Sequence, residues 1–161
     1  MKKEKMQNMA KIGIIAALYA VVTLLTSPMS FGAVQVRFSE ILDNLAVFNK
    51  RYIWALTLGC VISNLNSPLG IVDIVWGSLE TLIAASITYW LASKVKSMKW
   101  KMCIPPIVNA VMMFMVAIEL HVFNKLPFGP TYLTTAAGEF VAVAIGAVIF
   151  YIIGKRIDLT K

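Results

Sequence analysis

Charge is scarce in this chain: charged residues make up 14% of its 161 positions, while 59% are hydrophobic. A soluble domain carries about 25% charged and about 45–50% apolar residues. An ordinary water-soluble enzyme and a disordered regulator are therefore excluded. Cysteine is scarce too. The two present, Cys60 and Cys103, sit inside apolar runs without the spacing of a metal site or redox pair. A disulfide-stapled secreted domain is excluded, and both read as small buried hydrophobes. His121 is the single histidine, so a zinc site built on several histidines is absent.

Catalytic signatures are missing as well. No Gly-x-x-x-x-Gly-Lys-Ser/Thr loop is present to bind ATP, and no Gly-x-Ser-x-Gly elbow to carry a nucleophile. The run Glu119-Leu120-His121 lacks the second histidine of a metalloprotease helix. These gaps argue against an enzyme, and no metal, cofactor or catalytic residue is expected. Uphill movement of a solute would draw its energy from an ion gradient or from partner subunits.

What is present is a series of long apolar runs. A hydrocarbon core of about 30 Å needs about 20 apolar residues per helix, and six segments meet or approach that length: residues 10–26, 33–48, 52–65, 70–92, 102–123 and 131–154. The second is the weakest, because it holds Arg37, Glu40 and Asp43. Pro105 and Pro106 fall in the first turns of the fifth, where proline is tolerated. The runs are too long and too continuously apolar for the alternating strands of a barrel. The first follows a basic head without a convincing cleavage site and reads as a retained helix. The expected fold is an all-α integral membrane protein, a six-helix bundle forming one membrane domain over residues 1–161.

Charge orients the bundle. The net charge of +7 reflects basic clusters between apolar runs, which point to a lipid bilayer and not to nucleic acid. With the N-terminus in the cytoplasm, Lys2, Lys3, Lys5, Lys11, Lys50, Arg51, Lys94, Lys96, Lys99, Lys101, Lys155, Arg156 and Lys161 fall inside, and Arg37 and Lys125 outside. Such an asymmetry favours an even number of spans with both termini cytoplasmic, in a multi-pass membrane protein.

Carboxylates within spans are costly and mark a site or an internal partner. Glu40, Asp43, Asp73, Glu80, Glu119 and Glu139 lie in or beside the helices. At about 1.5 Å per residue, they gather in the outer half, opposite the basic rim. That distribution describes a polar cavity open to the outside, not a continuous pore. Asp73, Trp76, Gly77 and Glu80 share one helical face, and so do Thr135, Gly138, Glu139, Ala142 and Gly146. The plainer reading of any one carboxylate is an internal ion pair, such as Arg37 with Glu40 at i, i+3. Residues 27–38, above the proposed cavity, read as a gate or as an ordinary interfacial loop. In the first helix Gly13, Ala16, Ala17 and Ala20 line one strip, with Ala16 and Ala20 a small-xxx-small pair. Such a strip packs within the bundle or docks a separate membrane protein.

Residues 30–40 (SFGAVQVRFSE) and 70–82 (GIVDIVWGSLETL), with six short helices and the alanine strip, resemble the QueT family of substrate-binding (S) components of energy-coupling-factor (ECF) transporters. The resemblance implies uptake of a queuosine precursor or salvage compound: a 7-deazaguanine such as the aminomethyl base, queuine or its nucleoside. It implies as partners a coupling transmembrane protein, touched by Ala16 and Ala20, and two cytosolic ATPases. A deazaguanine offers N–H and amino groups to a carboxylate, and its side-chain amine is cationic, so acidic residues suit both ends. Glu40, Asp73, Glu80, Glu119 and Glu139 are the expected ligand-facing residues, with Arg37 orienting Glu40 or gating. Trp76 or Tyr132 would stack the ring, and Asn64 and His121 are secondary. The alternatives are an S component for another vitamin-like or cationic compound, and a channel or assembly scaffold.

Overall fold

The computed structural model describes residues 2–30 and 37–160. Seven α-helices and one long 3-10 helix account for most of them: α1 (Lys2–Leu25), α2 (Ser27–Ser30), the 3-10 helix Phe38–Val47, α3 (Arg51–Asn64), α4 (Ile71–Lys94), α5 (Met98–Met102), α6 (Ile104–Asn124) and α7 (Phe128–Gly154). Four stretches are long and apolar enough to cross a bilayer: Lys5–Leu25, Ile71–Lys94, Met98–Asn124 and Phe128–Gly154. The fold is all-helical, and the molecule is a membrane protein. Its outward surface confirms the solvent. On α6, the exposed residues Ile107, Val111, Phe114, Ile118 and Val122 recur at helical spacing, whereas the interior carries the polar side chains.

The segment expected as a second helix over residues 33–48 takes a different form. It is a 3-10 helix of ten residues, about 20 Å long at about 2.0 Å per residue. Residues 31–36, which hold half of the expected gate and much of the first resemblance motif, lie outside the described residues. Runs of 3-10 helix beyond three or four residues are uncommon, and the neighbours explain this one. It packs against α1, α3, α4 and α7, and eight of its ten residues are buried, from Ser39 to Val47. Gly146 of α7 makes the closest approach feasible, since a Cβ there would stand 2.5 Å from the Ile41 carbonyl oxygen and 2.9 Å from Ile41 Cα. The Asn44 amide fastens the contact, donating to the Val143 carbonyl at 3.0 Å.

α1 and α3 meet just as closely. A Cβ on Gly59 would stand 2.7 Å from Tyr19 Cβ and 3.1 Å from the Ala16 carbonyl oxygen. Ala16 and Ala20 are consequently buried inside the bundle, while Gly13 and Ala17 stay exposed. Small residues let helix backbones approach where lipid supplies no hydrophobic drive. From α3 the packing continues to α4, α6 and α7.

One end of the bundle collects both ends of the chain. The Arg51 guanidinium donates to Asn8 Oδ1 at 2.6 Å and to the Thr160 carbonyl at 2.9 Å. Lys94 lies over the Trp90 ring at 3.3 Å and Lys155 over the Tyr151 ring at 4.4 Å, pairing cation and aromatic as membrane rims do. Just inside this end, Leu45, Phe48, Tyr52, Leu56 and Phe150 form an apolar core. It separates the basic end from the polar interior above.

Replacing Gly146 by alanine is expected to force the 3-10 helix off α7 and cost about 1–3 kcal/mol, the range for overpacking. Thermal unfolding of the detergent-purified protein checks this, with Gly13→Ala as control, since nothing lies within 4 Å of a Cβ at Gly13.

Candidate functional site

The polar interior begins with the winding of the central 3-10 helix. At three residues per turn, side chains at i and i+3 eclipse. Arg37, Glu40 and Asp43 therefore form a single row, from the residue preceding the helix through its first two turns. An α-helix would fan the same residues apart by about 60° per step. Glu40 receives a hydrogen bond from the Tyr19 hydroxyl at 2.8 Å and lies 4.0 Å from Arg37 Nη1. Asp43 meets Glu139 of α7. Glu40, Asp43 and Glu139 each present one carboxyl oxygen to the others within 4.8 Å, and the three residues are 3%, 2% and 1% exposed.

Glu80 completes the group. Arg37, Glu40, Gly77, Glu80, Met113, Val116 and Glu139 line a cavity of about 10 Å³, room for about one water. Its walls differ in character: Met113 and Val116 of α6 are apolar, the Gly77 face of α4 is flat, and the carboxyls edge the remainder. A Cβ on Gly77 would stand 2.8 Å from Asn64 Nδ2 and 3.8 Å from Arg37 Nη1, so the flat wall depends on glycine. Oxygens of Asp43, Asn64, Glu80, Glu119 and Glu139 are buried without a hydrogen-bond partner. Glu80 and Glu139 line the cavity itself; most buried polar atoms in proteins are paired, and unpaired acceptors in and around one cavity mark a place that suits donors. A larger apolar groove of about 530 Å³, lined by Met102, Pro106, Ile107, Phe140, Val148 and Tyr151, faces lipid and has no comparable set of buried polar atoms.

The other residues singled out in the sequence sit around this centre. Asp73 is bonded to the Ser67 hydroxyl, and its main-chain carbonyl accepts from Asn64 at 2.9 Å. Glu119 faces Asp73 from α6, one turn beyond Val116. The Trp76 indole N–H donates to the Met115 carbonyl at 2.7 Å, tying α4 to α6, and the ring does not line the cavity. Tyr132 stacks on Phe128 with ring centroids 6.1 Å apart and packs behind Met113 and Val116. His121 is exposed, with Nδ1 2.7 Å from the Leu126 carbonyl oxygen, at the turn from α6 to α7. Asp43 is the central residue the sequence reading left out of its site, and the Arg-x-x-Glu-x-x-Asp spacing was its signal. Among the described residues, six buried carboxyls stand with one buried cation, Arg37.

A lipid-solvated helical bundle with a buried, acceptor-rich cavity is a membrane protein that takes in a polar solute. A family model described as QueT transporter matches residues 9–155, and the chain belongs to that family of transporters, which are not enzymes. The "Queuosine precursor transporter QueT" of Lactococcus lactis subsp. cremoris (strain MG1363) is 38% identical, the similarity covering 100% of each chain. No solved structure matches the chain significantly.

Tyr19→Phe is expected to remove the neutral donor to Glu40 and lower stability by about 1–3 kcal/mol, the cost of stranding a buried acceptor. Thermal unfolding compared with Tyr151→Phe, at a half-buried position away from the acidic cluster, measures it.

Proposed function

We propose that this protein is the substrate-binding S component of an ECF-type importer. It captures a queuosine precursor, a 7-deazaguanine, from outside the cell for ATP-driven uptake. The observation that carries the reading is the pair of unpaired buried acceptors, on Glu80 and Glu139, in the cavity that Glu40 also lines, in a chain similar over its whole length to a queuosine precursor transporter. A deazaguanine brings what those acceptors lack: ring N–H, an exocyclic amino group and, in the aminomethyl base, an ammonium. Its flat ring suits a slot between Gly77 and the Met113–Val116 wall. The space of about 10 Å³ is far smaller than the base, so entry requires α4 and α6 to part. Methionine, unbranched and adaptable, is the wall residue best able to yield.

The same reading treats residues 1–161 as one membrane domain of six spans in the prokaryotic plasma membrane, with both termini cytoplasmic. The short 3-10 helix and α3 would form the second and third crossings. Support comes from the basic residues and from the joint contacts of Asn8, Arg51 and Thr160 at one end. The apolar core behind the cavity argues against a pore, which needs a polar path to both faces. The chain carries no ATP-binding loop, so energy comes from a coupling membrane protein and two cytosolic ATPases. With Ala16 and Ala20 buried against α3, the outward pair Gly13 and Ala17 is the small-xxx-small surface available for the coupling protein.

Ligand thermal shift tests the substrate. 7-Aminomethyl-7-deazaguanine is expected to stabilise the purified protein, and riboflavin, thiamine and biotin to leave it unchanged; no response to any deazaguanine overturns the assignment. Glu80→Gln should weaken binding about 10–100-fold, corresponding to the loss of a charge-assisted hydrogen bond of about 1.5–3 kcal/mol. Replacing Gly13 and Ala17 together with leucine should abolish co-purification with the coupling protein and ATPases while ligand affinity stays at the wild-type value.

A further inference from the structure

The Glu40–Asp43–Glu139 triad has a geometry of its own. A triangle whose sides are no longer than 4.8 Å has a point within about 2.8 Å of every corner, and about 2.7–2.9 Å is the length of a charge-assisted N–H···O bond. A primary ammonium carries three N–H donors, one for each oxygen. A hard divalent cation such as calcium asks for six to eight oxygens, which three carboxyl groups beside a cavity with room for one water do not supply. A second observation points the same way. Glu80 belongs to the facing helix α4, is 4% exposed, and turns an unpartnered Oε1 to the cavity that Glu40 and Glu139 also line.

Charge balance sets the state of this group before any cation arrives. The titratable and charged groups around it are Tyr19 from α1, Arg37 and Glu40 beside Asp43 itself, Cys60 from α3, Glu80 from α4 and Glu139 from α7. From α6 the cavity receives Met113 and Val116, with Glu119 lying further out against Asp73. Four carboxyls thus surround one guanidinium. Uncompensated like charges a few ångströms apart are prohibitive in a low dielectric, so four carboxylates and one guanidinium are not all ionised together.

We infer, resting on the reading above, that Glu40, Asp43 and Glu139 form the subsite for the ligand's primary ammonium group, and that the incoming ammonium displaces a proton shared within the cluster. Binding is then an exchange. A carboxyl O–H ionises, its proton leaves to the aqueous phase, and the resulting carboxylate accepts an N–H of the incoming ammonium. Glu80, across the cavity beside the Gly77 slot, is left to receive the donors of the guanine edge. Asp43 becomes a specificity-determining residue: it distinguishes a base bearing an amine from the same base without one.

The sign of the pH dependence follows. The free protein holds more protons than the complex, so affinity for the amine rises with pH, by about tenfold per unit for each proton released. Between about pH 6 and about pH 8 a primary amine stays charged, given an ordinary value of about 10.4 for lysine.

Calorimetric titrations with 7-aminomethyl-7-deazaguanine and its 7-cyano analogue, in buffers of different ionisation enthalpy, test the exchange. The aminomethyl base should release about one proton and tighten about tenfold per pH unit; the cyano base should release none and show a flat profile. Asp43→Asn should flatten the aminomethyl profile and weaken that base alone, and Glu139→Gln offers a second route should Asp43→Asn not fold. Infrared spectra of the ligand-free wild type should show protonated carboxyl stretches that Asp43→Asn or Glu139→Gln diminishes. If both bases bind with equal profiles, if binding tracks sodium instead of pH, or if no protonated carboxyl is seen, the inference is overturned while the substrate reading stands. If neither base binds, the substrate reading fails and the subsite assignment falls with it.

Discussion

Everything polar in this molecule depends on a ten-residue 3-10 helix held in the middle of a lipid-solvated bundle. Its three-residue period places Arg37, Glu40 and Asp43 in one row, and its thinness lets α1, α3, α4 and α7 close around it. The winding is sustained from outside. Gly146 removes the side chain that would keep α7 away, Asn44 reaches across to the α7 backbone, and Tyr19 caps Glu40 from α1. Rewinding the segment as an α-helix would shorten it and turn Asp43 away from Glu139.

Such an interior opposes stability. Burying a carboxylate costs several kcal/mol after relaxation, and one guanidinium answers several carboxyls. A bundle selected for stability alone would place leucine at these positions, as it does in the apolar core by Phe48 and Leu56. The segregation divides the work. The apolar half, with its tight helix crossings, holds the fold together, whereas the polar half holds buried carboxyls with few partners. Membrane helices concentrate ionisable groups in this way where a solute is handled.

Much of this arrangement was legible in the chain, because lipid imposes simple rules on composition. Apolar runs predicted α4, α6 and α7 close to their observed bounds, whereas α1 begins at Lys2, well before the first run, and Pro105 and Pro106 do stand in the first turn of α6. The gathering of Glu40, Glu80 and Glu139 followed from their depth along those runs. What periodicity missed was the change of period. Read at 3.6 residues per turn, Arg37, Glu40 and Asp43 fan through about 120° instead of forming one row, and only the neighbours' packing imposes the 3-10 form. The alanine strip was divided for a similar reason, since Gly59, far away in sequence, determines that Ala16 and Ala20 face α3. Trp76 and His121 were drawn to the site by spacing, yet each satisfies a main-chain carbonyl elsewhere; hydrogen bonds of that kind leave no pattern in sequence.

The Arg51 guanidinium, bonded at once to Asn8 and to Thr160, brings the beginning and the end of the described chain within one side chain's reach. A short linker would join them with little entropic cost of closure, and a new opening in the α4–α5 turn would leave the central row of acids untouched. The order in which the helices are inserted during synthesis thereby becomes separable from the architecture they reach: a circularly permuted version, beginning at α5, places the same chamber on a different biogenetic schedule.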